Sequence, residues 1–150
     1  MSLDQLRAGI QKRHPGDYFI LAARLFEKGE KDEAVFWFYQ AQLRYRYFIL
    51  GSDRAKVRDD VVYLDALFQT LGPQINAYAF GDLPKLRQTI DEVIQWDEET
   101  LNGFFDKATD PESRQSIIDG LRDLRQETID REQEIRAERE KNGLENSSNS

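Results

Sequence analysis

Cysteine is absent from the chain. That removes disulfides, thiolate metal sites, iron–sulfur clusters and cysteine nucleophiles together. Histidine occurs once, at His14, so the multi-histidine constellations that hold zinc or non-haem iron cannot be assembled. No window approaches the ~20 uninterrupted apolar residues that a membrane span requires, and mean hydropathy is −0.71. The nine glycines are scattered at the ends of helical segments, which leaves no phosphate-cradling loop and no dinucleotide fingerprint. Serines fall at helix starts, in loops and in the tail, without the elbow that exposes a nucleophile. The first residues, MSLDQLRAGIQKR, lack the sections of a secretory signal, so a cytoplasmic location is expected. No enzyme activity, cofactor or metal is expected from this inventory, and no membrane partner.

What the chain does hold is enough apolar material for one ordinary domain. Its 150 residues are 39% apolar, 11% aromatic and 33% charged, and a chain of this length folds without a metal or disulfide staple. Charge is uneven. Residues 1–58 carry 11 basic and 7 acidic side chains, net +4, and residues 59–150 carry 10 basic and 21 acidic, net −11. The acidic remainder opposes a broad nucleic-acid footprint, which needs positive surface. It suits a basic protein partner instead.

Nearly every segment has helical period, and no hairpin signal appears. Ser2 is placed to cap a short first helix, which His14-Pro15-Gly16 ends. A second helix runs to about Lys28, where Gly29 stops it, and a third reaches about Leu50. Gly51-Ser52-Asp53 and a basic loop (Arg54, Lys56, Arg58) precede a fourth helix over about 59–71, which Gly72-Pro73 is expected to terminate. Asp82 and Pro84 start the next, with Leu86, Ile90, Val93 or Ile94, and Trp96 or Asp97 at helical spacing. Asp110-Pro111 opens a last helix that extends to about Lys141 and grows polar beyond Asp130. The expectation is therefore an all-α, single-domain bundle of about six helices over residues 1–141. Residues 130–141 should protrude into solvent, and 142–150 should form a disordered tail.

Within residues 22–41, Ala22, Leu25, Gly29, Ala34, Phe38 and Ala41 are separated by three, four, five, four and three positions. Small residues at those places let two helices cross closely, with Leu25 and Phe38 filling the gap. The spacing resembles one tetratricopeptide repeat. No second copy follows at the expected period, so the resemblance implies a helical hairpin, not a solenoid, and raises the expectation of a partner-binding role.

The third helix carries Phe36, Trp37, Phe38, Tyr39, Tyr45, Tyr47 and Phe48 on all sides. A helix apolar all round belongs at the centre of a bundle. The alternative is that Arg44, Tyr45, Arg46 and Tyr47 stack on and neutralise RNA; the acidic remainder makes nucleic acid the less favoured partner. His14, before a proline, reads as a surface or capping residue.

Asp97-Glu98-Glu99 lie near a helix C-terminus, where the dipole disfavours acids. They and Asp91, Glu92 and Asp106 form the candidate partner-binding set, all in or just after one helix. The segments 32–50 (DEAVFWFYQAQLRYRYFIL) and 72–86 (GPQINAYAFGDLPKL) resemble small helical bacterial proteins, immunity proteins for contact-delivered toxins among them. That resemblance implies a non-catalytic inhibitor whose acidic face covers a basic toxin domain's active site. The alternative is a helical adaptor or oligomerising scaffold using Ile117, Leu121, Leu124 and Ile135 on the last helix as its contact arm.

Overall fold

Local signals set most helix boundaries in the computed structural model, which describes residues 1–148. Ser2 accepts the Gln5 amide proton and Gln5 reaches back to the Ser2 amide, a reciprocal box that starts α1 (Leu3–Ala8). A single 3-10 turn (Ile10–Lys12) leads to α2 (Gly16–Lys28). His14 caps α2: its Nδ1 accepts the Gly16 N–H at 2.9 Å. Gly29, at φ 96°, sends its N–H and that of Glu30 back to the last turn of α2, a left-handed closure that favours glycine. Then follow α3 (Lys31–Leu50), α4 (Arg58–Ala79), α5 (Leu83–Glu99), α6 (Pro111–Asp130) and α7 (Glu132–Lys141). Asp82 and Asp110 cap α5 and α6 through backbone amides three residues on, each followed by a proline in the first turn. The molecule is an all-α bundle with no strand among the described residues.

The aromatic α3 is the central rod, packed against α2, α4, α5 and α6. Trp37, Phe38, Tyr39, Tyr45 and Tyr47 are buried, and Phe36 and Phe48 lie half-buried against the same core. Burying one such ring contributes roughly 1.5–3 kcal/mol. Edge-to-face contacts then lock the rings, as between Phe19 and Phe38 at 5.7 Å and Trp37 and Trp96 at 5.3 Å. Ala22, Leu25, Ala34, Phe38 and Ala41 are all fully buried at the crossing of α2 and α3.

Three boundaries differ from the sequence expectation. First, α4 does not stop at Gly72-Pro73 but runs through to Ala79. Pro73 removes one N–H, yet Gln69, four residues earlier, is exposed, so water can meet its carbonyl. Gly72 is buried against α3, where a Cβ would only touch Phe38 Cζ at 3.8 Å, so its presence does not break the helix and no close approach depends on it. Continuing the helix buries Ile75 and Ala79 and lets Asn76 Oδ1 accept the Tyr39 hydroxyl at 2.8 Å.

Second, the last helix breaks at Arg131, which makes seven helices instead of six among the described residues. Third, residues 130–141 do not protrude. Beyond the break α7 runs on past the start of α5 to the end of α4, where Ile135 packs on the core and Arg139 donates to the Ala77 carbonyl at 2.7 Å. Nor is the segment after it a free tail. Gly143, at φ 74°, reverses the chain, Leu144 N–H returns to the Arg139 carbonyl at 2.8 Å, and Ser147 N–H reaches the Gly81 carbonyl at 2.6 Å. Residues 144–147 form a hook between α7 and the α4–α5 corner, held by backbone groups that a compositional reading cannot see. Asn149 and Ser150, also expected in the tail, lie outside the described residues.

Candidate functional site

α5 combines two chemistries because of its period. Leu83, Leu86, Ile90, Val93 and Ile94 point into the bundle, and the same stripe, continued one turn, ends on Asp97. The positions between them, Gln88, Asp91, Glu92, Gln95, Glu98 and Glu99, are exposed. Five acids on this helix therefore meet two environments.

Asp97 is only 1% exposed and is the hub of a buried ion cluster. Arg44, equally buried, donates from Nε to Asp97 Oδ1 at 2.8 Å. Arg114 reaches Oδ2 through Nη2 at 2.7 Å and Nε at 2.9 Å. The other Arg44 nitrogens go to the Thr100 carbonyl at 2.9 Å, the Leu101 carbonyl at 3.3 Å and the Tyr18 hydroxyl at 3.2 Å, and its guanidinium lies 4.6 Å from the centre of the Trp96 ring. Lys107 adds an ammonium, donating to the Asp97 and Glu98 carbonyls at 2.8 and 3.0 Å. Burial pushes the Tyr18 phenol up against the opposing pull of Arg44, and burial lowers the Lys107 ammonium.

Two sequence expectations are corrected here. Asp97 cannot belong to an outward acidic patch, because it is enclosed by two guanidinium groups. Its place near a helix C-terminus has a structural explanation: α5 has no basic residue in its last turn, but Arg44 and Lys107 bring cations to its final carbonyls from α3 and the following loop. Arg44, Tyr45 and Tyr47 are likewise no RNA-stacking face. All three are buried, Tyr45 donating to Asp60 Oδ1 at 2.6 Å and Tyr47 to the Asp106 carbonyl at 2.6 Å. Arg46 alone of that set is exposed, and it lies over the Phe68 ring.

The other five acids of the predicted set are exposed. Asp91 pairs with Arg125 of α6 at 2.9 Å. Glu92 and Glu99 accept from Gln88 and Gln95, one turn earlier on the same helix, at 3.1 and 3.0 Å. Asp106 accepts the Ala108 amide at 2.7 Å and so shapes its own turn. Glu92, Glu98 and Glu99 have no cationic side chain within ion-pair distance among the described residues. The contact arm expected of an adaptor is not available: Leu121 is buried, and Ile117, Leu124 and Ile135 pack against the core.

Elsewhere His14, between a backbone amide and a carboxylate, places Nε2 2.7 Å from the Asp60 Oδ1 that Tyr45 also meets. Since Nδ1 accepts from Gly16, Nε2 is the donor. Periodicity places Trp96 or Asp97 on the apolar stripe, and the structure selects Asp97; its partners Arg44 and Arg114, 53 and 17 residues away, carry no local signal.

No family model matches the chain, and no solved structure matches it. The chain is similar to an uncharacterized protein of Haemophilus influenzae, 32% identical over 84 residues. The match covers 55% of this chain and 32% of that protein, so the chain spans about a third of its relative's length. No helix of the described residues is long and apolar enough to cross a membrane, and no group of three or more His, Asp or Glu among them is placed to hold a metal ion.

Proposed function

We propose that the chain is a non-catalytic protein-binding module that presents the outward face of α5 to a basic partner, in the manner of an immunity protein covering a toxin's active site. The observation that carries this reading is the row of carboxylates at Glu92, Glu98 and Glu99, exposed and with no cation at ion-pair distance among the described residues, with Asp91 and Asp106 nearby in sequence. Their helix is anchored from behind by its apolar stripe and by the Asp97 cluster, so the face is rigid before a partner arrives. A pre-organised row loses little conformational freedom on binding. The long-range field of an acidic surface also speeds encounter with a positive cleft.

The test is co-expression with the product of the adjacent reading frame, using wild type and a variant with Asp91, Glu92, Glu98 and Glu99 replaced by lysine. Wild type should co-purify with that product and suppress its toxicity. The variant should keep its helical circular dichroism and lose both properties. Equal protection by the two proteins would refute the α5 face.

A further inference from the structure

At the opposite end of α5 from the Asp97 cluster, a cavity of about 590 Å³ opens between α3, the end of α4, α5 and the C-terminal hook. Pockets that take small organic ligands span roughly 300–1,000 Å³ and combine an apolar floor with a few placed polar groups. Here Val35, Ala79 and Leu86, all buried, supply the floor. Phe26 and Tyr78, edge to face at 6.3 Å, form one wall. The hook supplies the other, and it can approach because Gly81 has no side chain: a Cβ there would lie 3.0 Å from Arg139 Nη2 and 3.1 Å from the Glu145 carbonyl.

Three cations (Lys31, Lys85, Arg139) and three acids (Asp32, Asp82, Glu145) border this space, equal in number but not paired one to one. Asp32 is committed, accepting the Tyr78 hydroxyl at 2.5 Å and the Lys85 ammonium at 3.2 Å. Asp82 is committed to capping α5 through the Lys85 amide at 3.1 Å. Two of the three cations have no carboxylate within ion-pair distance. Lys31 Nζ is held over the Phe26 and Tyr78 rings, 5.2 and 5.5 Å from their centres. Arg139, only 8% exposed, meets neutral acceptors alone: the Ala77 and Glu145 carbonyls and Asn146 Oδ1. Glu145 contributes its backbone, with its side chain exposed. The positive ends of α3 and α5 both border the cavity. Burial lowers the Arg139 guanidinium, as expected of a cation without an anion beside it.

We infer that this cavity binds a small amphiphilic carboxylate, its apolar body on Val35, Ala79 and Leu86 and its acid group between Lys31 and Arg139. The site is distinct from the α5 acidic face, and either can exist without the other.

Decanoate, 1-decanol and decylamine share one apolar body and differ in charge, so titrating each into the full chain by calorimetry separates charge from greasiness. Decanoate should bind saturably at one site, decanol more weakly and decylamine least. Lys31→Glu changes an exposed side chain and should weaken decanoate roughly tenfold, the usual worth of one charge-assisted contact, with circular dichroism confirming that the free protein stays folded. Thr89→Trp fills the cavity from α5 and should abolish binding of all three probes, with circular dichroism confirming the fold. The inference is overturned if decanoate shows no saturable binding, if decylamine binds as well as decanoate, or if Lys31→Glu or Thr89→Trp binds decanoate like wild type.

Discussion

The inner and outer faces of α5 carry the same functional group to opposite ends. Asp97, on the inner face, is a structural pin between two arginines from α3 and α6. Glu98 and Glu99, its immediate neighbours, stand in water. A rotation of 100° about the helix axis separates consecutive side chains, and here it separates a carboxylate that the fold depends on from carboxylates the fold does not need. An acidic run is therefore not one feature, and its members must be sorted by the stripe to which each belongs.

The largest effect is expected on the inner face. Asp97→Ala leaves Arg44 charged, buried and without its counterion, and removing one partner of a buried pair costs about 3–5 kcal/mol. The urea midpoint should fall steeply, and an unshifted midpoint would place Asp97 with its exposed neighbours. A smaller loss is expected when both charges go. The double variant Arg44→Met, Asp97→Leu should be more stable than Asp97→Ala alone, because no fully buried unpaired guanidinium remains and Arg114, whose side chain is 19% exposed, can turn to water. If the double variant is the less stable, the hydrogen bonds of Arg44 to Thr100 and Leu101 matter more than its charge.

Glu33 lies between the extremes. Arg7 grips both its oxygens at 2.8 Å and Trp37 donates at 3.0 Å, which together hold the carboxyl below its ordinary value of 4.5. A depressed folded value means that the stabilisation is complete above about pH 4.5 and is lost as pH falls through the folded value. Glu33→Gln should therefore be the less stable protein at pH 7, with the gap to wild type closing on acidification; a gap independent of pH would assign the effect to packing. The smallest effect belongs to the outer face. Replacing Asp91, Glu92, Glu98 and Glu99 by lysine should change stability by no more than about 0.5 kcal/mol per site, since exposed pairs contribute little. A loss comparable with that of Asp97→Ala would erase the distinction between the two faces.

Much of this architecture is legible before any coordinates. The caps at Ser2, Asp82 and Asp110, the closure at Gly29 and the all-round aromatic character of α3 are local signals, and each lies where its chemistry implies. The errors share one cause. Gly72-Pro73 reads as a stop because propensity is local, whereas the burial of Ile75 and Ala79 that carries α4 onward comes from α3 and its neighbours. Asp130–Lys141 reads as solvated because it is charged, whereas the reach of Arg139 to the Ala77 carbonyl ties it to a helix more than fifty residues earlier.

Helix type, helix number to within one, and the central place of α3 follow from residue order, because capping and hydrophobic period act over one or two turns. Which acids face water, the break of the last helix at Arg131, and the existence of a cavity at the α4–α5 corner were decided only when distant segments met. Charge and hydrogen bonding act over a few ångströms in space, and separation along the chain does not measure that distance.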